Sequence, residues 1–166
     1  SFETLARTIL GQQISRAAAS SVWKRMCAQK CCTASVIAVK APDDLIPLGL
    51  SRRKAEYLIE IADEIKSGRL NLTDLKSMSG DDVQKRLTEI RGIGAWTADN
   101  FRLFALGDMD AWPANDLALQ EGMKRLKNLE ERPNGEKLLA LGDAWRPFRG
   151  AGALMLWHVY GILVRK

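Results

Sequence analysis

Apolar residues recur along most of this chain at three- and four-residue spacing, which is typical of α-helices with one buried face. The clearest case lies between Ser51, an N-cap candidate, and Gly68, a stop signal. Its apolar positions are Ala55, Leu58, Ile59, Ala62 and Ile65. No useful length of chain alternates apolar and polar residues with a period of two, so we predict no β-strand.

The same reading, with cap residues and Gly or Pro breaks, predicts helices along the rest of the chain. They cover residues 2–10, 15–29, 33–39, 42–49, 72–78, 79–90, 94–106, 116–126, 136–145 and 150–164. The expected fold is therefore an all-α bundle of about ten short helices in a single domain, residues 1–166. We expect its core to be shared between the ends and the middle of the chain.

The segment Leu87–Phe104, LTEIRGIGAWTADNFRLF, predicts two helices joined by a hairpin on Gly92-Ile93-Gly94. Two glycines allow a tight turn and expose the amides at the start of the second helix, where a phosphate can bind. Arg91 precedes the first glycine and can add positive charge, although a solvated surface role is equally open. A glycine pair alone is typical of any helix–helix turn. Amide contacts to phosphate carry no sequence information, so such a hairpin would bind DNA generally.

Asp116 follows the loop Trp112-Pro113-Ala114-Asn115 at the predicted start of a helix. An aspartate in this position is usually an N-cap. Its place one loop after a phosphate-binding hairpin favours a catalytic role, as does the proximity of Trp96, Trp112 and Trp157. Tryptophans are core residues by default, but in a cleft their flat rings can stack on a flipped nucleobase.

The composition is that of a globular protein, with 46% apolar and 27% charged residues. The net charge of +5 moves the expectation only slightly toward an anionic partner. Cys27, Cys31 and Cys32 lack the spacing of a zinc site and are expected to be reduced thiols of an intracellular protein, cytoplasmic or, in a eukaryote, nuclear. No apolar run reaches membrane-spanning length. The chain lacks an initiator Met, and we expect an N-terminal module to be missing.

Five blocks occur in the order of a known family: ILGQQIS (Ile9–Ser15), GLSRRKAEYL (Gly49–Leu58), LTEIRGIGAWTA (Leu87–Ala98), WPANDLALQ (Trp112–Gln120) and WRPFRGAGALMLW (Trp145–Trp157). Together they resemble the helix-hairpin-helix DNA glycosylases, specifically the AlkA-like alkylpurine (3-methyladenine) DNA glycosylase II family. The resemblance covers essentially the whole chain. It implies two lobes with an active-site cleft between them, a hairpin at about 80–106, and a second lobe formed by the N- and C-terminal helices.

The resemblance also implies roles for particular residues. Asp116 matches the catalytic aspartate, and the amides of Gly92 and Gly94 match those that hold the DNA phosphate. Thr97, at the start of the second helix, is expected among the DNA-binding residues with them. Trp96 stands where related lyases carry a lysine nucleophile. Because tryptophan cannot form a Schiff base, we expect a monofunctional enzyme that removes a base without cutting the strand.

Further positions carry over from the same family. Trp157 matches an aromatic residue of the base pocket, and Asn100 stands where AlkA has a pocket tyrosine. Gln13 matches the side chain that fills the gap left by the flipped nucleotide, or else it bonds a helix end. The resemblance implies a Na⁺ or K⁺ ion on hairpin carbonyls, here those of Thr88, Ile90 and Ile93. No iron–sulfur cluster or other cofactor is expected.

The predicted function is base excision repair: a monomer binds damaged double-stranded DNA, flips out an alkylated purine such as 3-methyladenine, and hydrolyses its N-glycosidic bond. Asp116 would stabilise the oxocarbenium-like sugar, position water, or both. Arg91 replaces a proline common in the family. Two alternatives remain open at this stage. The same fold could act on uracil, hypoxanthine or an oxidised base, or the protein could be a hairpin module that binds DNA without catalysis.

Overall fold

Polar side chains fix where the helices begin. Six helices start after a residue whose side-chain oxygen accepts the amide three positions later. These residues are Ser1, Ser15, Ser51, Ser79, Asp116 and Asn134. Each cap satisfies one of the free amides of a first turn, typically stabilising the helix by about 1 kcal/mol. Helix starts were therefore the most predictable feature of the sequence.

The computed structural model describes residues 1–164, and their regular elements are all helical, which confirms the predicted all-α class. The ten α-helices of this part of the chain are α1 Phe2–Gly11, α2 Arg16–Ala28, α3 Ala34–Ile37, α4 Pro42–Leu45, α5 Arg52–Lys66, α6 Gly80–Thr88, α7 Ala95–Phe101, α8 Leu117–Leu126, α9 Gly135–Gly142 and α10 Arg149–Val164. Short 3₁₀ turns lie at Ile46–Leu48, Asp74–Ser77 and Asp143–Trp145. None of the helices described is both long and apolar enough to cross a membrane.

The buried apolar side chains form two clusters. The larger one draws on α1 to α7, and the smaller one on α8, α9, α10 and the loop before α8. In the larger, Leu5, Ile9, Leu58 and Phe101 are completely buried. The first lobe therefore contains the hairpin helices α6 and α7, and the second lobe contains the C-terminal helices.

This division corrects the prediction that the N- and C-terminal helices would build the second lobe together. Helix α1 packs against α2, α5 and α7, whereas α10 packs mainly against α8. The four buried residues of α1 all belong to the larger core, which places α1 behind the hairpin. Apolar periodicity shows that a helix has a buried face but does not identify its neighbour, which is why the sequence could not decide this point.

The second hairpin helix is also not uniform, since a π-helical turn, Arg102–Leu106, follows α7. The predicted helix over 94–106 is confirmed as far as Leu106, but its last five residues are π-helical and not α-helical. Arg102 is almost fully buried, and its guanidinium makes ion pairs with Asp99 at 2.9 Å and Asp108 at 2.8 Å. The wider turn ends at Gly107, whose φ of 71° closes the helix in the left-handed region.

Candidate active site

The hairpin turn contains two glycines that differ in backbone conformation and in the space around them. Gly92 has a φ of 91°, and a Cβ atom there would lie 2.3 Å from Cγ of Tyr57. Glycine is therefore required both by the backbone conformation and by the close packing on the tyrosine ring. Gly94 has an ordinary φ of −89° as the N-cap of α7, and no heavy atom lies within 4 Å of its would-be Cβ. The turn is held from behind by Tyr57 and is open to solvent at Gly94.

A polar brace fixes the hairpin to the loop after α1. The side-chain Nε2 of Gln12 donates hydrogen bonds to the Gly92 carbonyl and to Oγ1 of Thr97, both at 3.1 Å. Nζ of Lys54 donates to the carbonyls of Leu10 at 2.7 Å and Gln12 at 2.6 Å. The partial burial that this requires lowers the pKa of Lys54. The hairpin, the loop and the start of α5 thus form one hydrogen-bonded unit.

The hydrogen bond from Gln12 gives the Thr97 side chain a structural role. Its side chain is only 2% exposed, and its hydroxyl is engaged by Gln12, so it does not face solvent where DNA would bind. Sequence reasoning placed Thr97 with the DNA-binding residues because it lies in the first turn of α7. The structure gives its side chain a supporting role.

Gln13 lies at the tip of the braced loop. It is exposed and has a φ of 58°, a left-handed conformation that is uncommon for a residue other than glycine. Such a conformation persists when neighbouring contacts fix the backbone, and here Lys54 and Gln12 hold the preceding residues. The gap-filling role of Gln13 remains a prediction.

Asp116 receives hydrogen bonds from three elements. Trp96 Nε1, in α7, donates to Oδ2 at 2.7 Å, and Trp157 Nε1, in α10, donates to Oδ1 at 3.0 Å. The amide of Leu119 also donates to Oδ1, at 2.9 Å. Asp116 is therefore the N-cap that its residue type indicates, and at the same time the centre of a cluster that joins the two lobes. The structure brings together the three residues that the resemblance singled out.

The two oxygens of this carboxylate are not equivalent. A carboxylate oxygen has about two acceptor positions. Oδ1 has two donors, the Trp157 indole and the Leu119 amide, whereas the structure shows one donor, Trp96, at Oδ2. Oδ2 thus retains an acceptor position for a water molecule or for a developing positive charge. Because both indoles and the helix cap hold the carboxylate, it is already oriented before any ligand binds.

Phe104 is a site residue that sequence reasoning missed. Its ring stacks on Trp157 with centroids 5.8 Å apart and an interplanar angle of 20°, yet it is 54% exposed. The spacing of Trp96, Asn100 and Phe104, four residues apart each time, was the available signal, because such residues share one helix face. The aromatic wall beside Asp116 therefore has three rings, those of Trp96, Trp157 and Phe104.

Asn100 supports this wall and is not an open part of it. Its side chain is 7% exposed, and Nδ2 donates to the carbonyl of Trp96 at 2.8 Å. One of its N–H donors is thus used within its own helix, and its place in the base pocket remains a prediction. Trp112 is likewise a core residue: it is 3% exposed, and its Nε1 donates to the Leu138 carbonyl at 3.0 Å.

Arg91 lies at the surface beside the hairpin turn. Its guanidinium is 3.5 Å from the carboxylate of Glu56 and stacks over Tyr57 at 5.7 Å from the ring centroid. Among the predicted cation ligands, the Ile90 carbonyl already accepts the Ile93 amide at 3.1 Å. A cation would have to use the second lone pair of that oxygen. In residues 1–164 no group of three His, Cys, Asp or Glu side chains could hold a metal ion.

Solved structures share this architecture. The 3-methyladenine DNA glycosylase Mag1 of Schizosaccharomyces pombe, in complex with abasic DNA, superposes with a TM-score of 0.86 at 30% identity, covering 94% of this chain and 78% of that one. A DNA-3-methyladenine glycosidase from Bacillus halodurans gives a TM-score of 0.83 at 34% identity, covering 99% of this chain and 77% of that one.

A curated DNA-3-methyladenine glycosylase from Bacillus subtilis (strain 168) is 31% identical over 173 residues, covering 95% of this chain. The chain spans 56% of the length of that relative and 40% of the length of another from the same organism. These relatives confirm the resemblance to the AlkA-like glycosylases.

The fold and the site together define a helix-hairpin-helix protein with a carboxylate in an aromatic cluster between two lobes. The family model described as HhH-GPD superfamily base excision DNA repair protein matches residues 6–147. The chain belongs to this superfamily.

Proposed function

We propose that this chain is a monofunctional DNA glycosylase that acts as a monomer on double-stranded DNA. It flips out an alkylated purine such as 3-methyladenine and hydrolyses its N-glycosidic bond. One observation carries the proposal: the Asp116 carboxylate is held by two indole N–H groups beside the hairpin, with an acceptor position open on Oδ2. The names of its relatives point to the same substrate class.

An alkylated purine such as 3-methyladenine is cationic, so it is a good leaving group. When the bond between the sugar C1′ and the base nitrogen breaks, the electron pair goes to the base, which departs neutral. The sugar is left with oxocarbenium character, and water completes the reaction by adding its oxygen to C1′ and releasing a proton. The enzyme therefore needs little acid catalysis on the base side.

Asp116 supplies a fixed negative charge where the sugar becomes positive. Electrostatic stabilisation is strongest when the stabilising group is oriented beforehand, because no reorganisation is then needed during the reaction. The two indoles and the Leu119 amide provide that orientation. Oδ2 is the oxygen that faces the reaction in this proposal, either directly toward the sugar or through the attacking water.

The aromatic wall provides recognition without a dense hydrogen-bond pattern. A cationic base is attracted to the faces of aromatic rings, and damaged bases are easier to extrude than paired normal bases. Trp157 is held flat against Phe104, so its ring presents a fixed surface. Discrimination then depends on stacking and on the weakness of the glycosidic bond.

A matched pair of variants tests this function. Asp116→Asn should keep duplex binding and the cap of α8, since asparagine caps helices about as well as aspartate, but its Nδ2 cannot accept an indole N–H as the carboxylate oxygen does. Its release of 3-methyladenine from methylated DNA should fall by about 100-fold or more, because the charge is lost. The control is Asp63→Asn, which removes from α5 a carboxylate that pairs with Arg69, beyond the end of that helix. Full excision by Asp116→Asn would contradict the proposed role of Asp116, whereas a wild-type protein that releases no base would favour a non-catalytic DNA-binding module.

The absence of strand cleavage is proposed from Trp96, whose indole cannot form a Schiff base. Borohydride treatment of wild-type protein with a damaged duplex should give no covalent protein–DNA adduct, whereas a lyase of the same superfamily run in parallel should give one. A trapped adduct would contradict this part of the proposal. The monovalent cation on the carbonyls of Thr88, Ile90 and Ile93 is likewise a proposal, in which it would stabilise the hairpin.

A further inference from the structure

The larger of the two cavities described, about 460 Å³, does not lie at Asp116. It opens at the surface where the start of α5 meets the hairpin turn, and three of its five lining residues are arginines. The lining consists of Arg52, Arg53, Glu56, Tyr57 and Arg91. The chemistry proposed for Asp116 uses none of these residues, so the cavity needs an explanation of its own.

Tyr57 organises this cavity. Tyr57 is buried, with a relative exposure of 8%. The Gly92 turn packs so closely on its ring that a Cβ atom at position 92 would overlap with it. The guanidinium of Arg53 lies 5.5 Å from the ring centroid, and that of Arg91 lies 5.7 Å from it. Arg53 also donates a hydrogen bond to the Tyr57 hydroxyl. The same ring therefore positions both the hairpin turn and two guanidinium groups.

The three arginines differ in how much of their charge is already neutralised. Arg52 pairs with Asp43 at 2.5 Å, and Arg91 pairs with Glu56 at 3.5 Å. Within residues 1–164, no carboxylate lies within salt-bridge distance of Arg53, whose partners are the ring and the hydroxyl of Tyr57. Arg53 thus combines a fixed position with an uncompensated positive charge at the surface.

We propose that Arg53, seated on Tyr57, binds a second phosphodiester of duplex DNA, next to the phosphate held by the hairpin amides. The inference rests on the proposed function, which makes duplex DNA the partner. A guanidinium presents a planar fork that matches two phosphate oxygens, and its immobilisation on Tyr57 lowers the entropy cost of that contact. Tyr57 acts as a positioning residue, since it sets the separation between the hairpin contact and the arginine contact.

The test is the salt dependence of binding to an undamaged labelled duplex, measured by fluorescence anisotropy for the wild-type protein, Arg53→Gln and Arg69→Gln. Each phosphate contact contributes a slope of about −0.9 in a plot of log affinity against log salt concentration. Arg53→Gln should reduce the slope by about one and weaken binding roughly eightfold at 0.1 M salt. Arg69, which follows α5 at its other end and pairs with Asp63 and Glu64, provides the control with the same charge change.

Two further variants sharpen the result. Arg53→Lys keeps the charge but not the fork, so it should restore most of the slope with only part of the affinity. Tyr57→Phe keeps the ring and removes the hydroxyl, so it should weaken binding less than Arg53→Gln while the fold, followed by thermal melting, stays intact. Equal slopes for Arg53→Gln and Arg69→Gln would overturn the proposal.

The outcome is separable from the proposed catalytic function. If the wild-type protein releases 3-methyladenine but Arg53→Gln leaves the slope unchanged, the second phosphate contact is wrong and the glycosylase function stands. If Arg53→Gln reduces the slope while the wild-type protein releases no base from any damaged duplex, the DNA-binding surface stands and the glycosylase function is wrong.

Discussion

The hairpin and the Asp116 cluster have different proposed roles, DNA-backbone binding and catalysis, and they use different kinds of chemical groups. The hairpin presents main-chain groups, and side chains such as Tyr57 and Gln12 support it from behind. The Asp116 cluster presents side chains, and three separate helices must meet to form it. Phosphate groups repeat along DNA, so main-chain amides can bind them at any sequence. Catalysis at one bond, in contrast, requires particular side chains at fixed positions.

The strongest test of this contrast compares the two hairpin glycines. Gly92→Ala should destabilise the protein by about 2–4 kcal/mol, because alanine is strained at positive φ and its Cβ would overlap the Tyr57 ring. Gly94→Ala should leave stability nearly unchanged, since its φ is ordinary and the space is open. It should nevertheless weaken duplex binding, because a methyl group would stand between the turn and a phosphate. Thermal melting and anisotropy measurements separate the two effects.

If Gly94→Ala binds the duplex as tightly as the wild-type protein, the main-chain grip is not where we place it. A stable Gly92→Ala variant would show instead that Tyr57 can move away from the turn. Either result would weaken the contrast between the main-chain groups of the hairpin and the side chains of the Asp116 cluster.

The second test concerns the indoles that hold Asp116. Trp96→Phe and Trp157→Phe keep an aromatic ring and remove one hydrogen bond to the carboxylate. Because a hydrogen bond to a charged group contributes about 1.5–3 kcal/mol, excision should slow by roughly 10- to 100-fold in each case. Single-turnover kinetics at saturating protein concentration measure this step without interference from binding, and the affinity for undamaged duplex should not change.

Trp96→Phe should have the larger effect of the two. Trp96 is the one donor that the structure shows at Oδ2, while Oδ1 keeps the Leu119 amide after Trp157 is replaced. A larger defect in Trp157→Phe would mean that stacking on the base contributes more to the rate than the orientation of the carboxylate.

The smallest expected effect is a pH dependence of folding stability that comes from Asp99 in α7, the second helix of the hairpin. Burial raises the pKa of Asp99 to about 6, although the Arg102 guanidinium and the Gln84 amide oppose this shift. Between the unfolded pKa near 3.8 and the folded value, the folded state binds a proton that the unfolded state has lost. The stability contributed by Asp99 is therefore complete below that range and is lost as the pH rises through about 6.

Asp99→Asn removes this titration. The stability of the variant relative to the wild-type protein should rise by about 2 kcal/mol between pH 4 and pH 6 and stay constant above pH 7. Thermal melts across this range provide the measurement. A difference that does not vary with pH would show that Asp99 remains ionised throughout.

The parts of this molecule that sequence reasoning predicted are those that depend on local pattern. Ser51 and Ser79 were predicted as the starts of helices, and the Gly92 turn followed from spacing within a short segment. The π-helical turn after α7 was missed, because it accompanies a buried Arg102 whose partner Asp108 lies beyond the helix. The roles of Arg53, Lys54 and Gln12 were missed for a related reason, since each acts through a residue that is near in space but not predictable from periodicity.

The Asp116 cluster lies between these cases. Its three members came from the resemblance to a family, which identifies positions but not contacts. That both indoles would donate to the same carboxylate, and that Phe104 would stack on Trp157, depends on contacts between residues that are far apart in the sequence.

The brace between Gln12 and the hairpin has a consequence for how this protein would survey a genome. In the proposed function, Gln13 and the hairpin amides that hold a phosphate belong to one hydrogen-bonded unit, so the distance between them is fixed. Wherever the hairpin holds a phosphate, Gln13 would meet the base pair at the same distance along the strand. Under the proposed function, the protein would therefore test the nucleotide at one fixed distance from the phosphate that it holds.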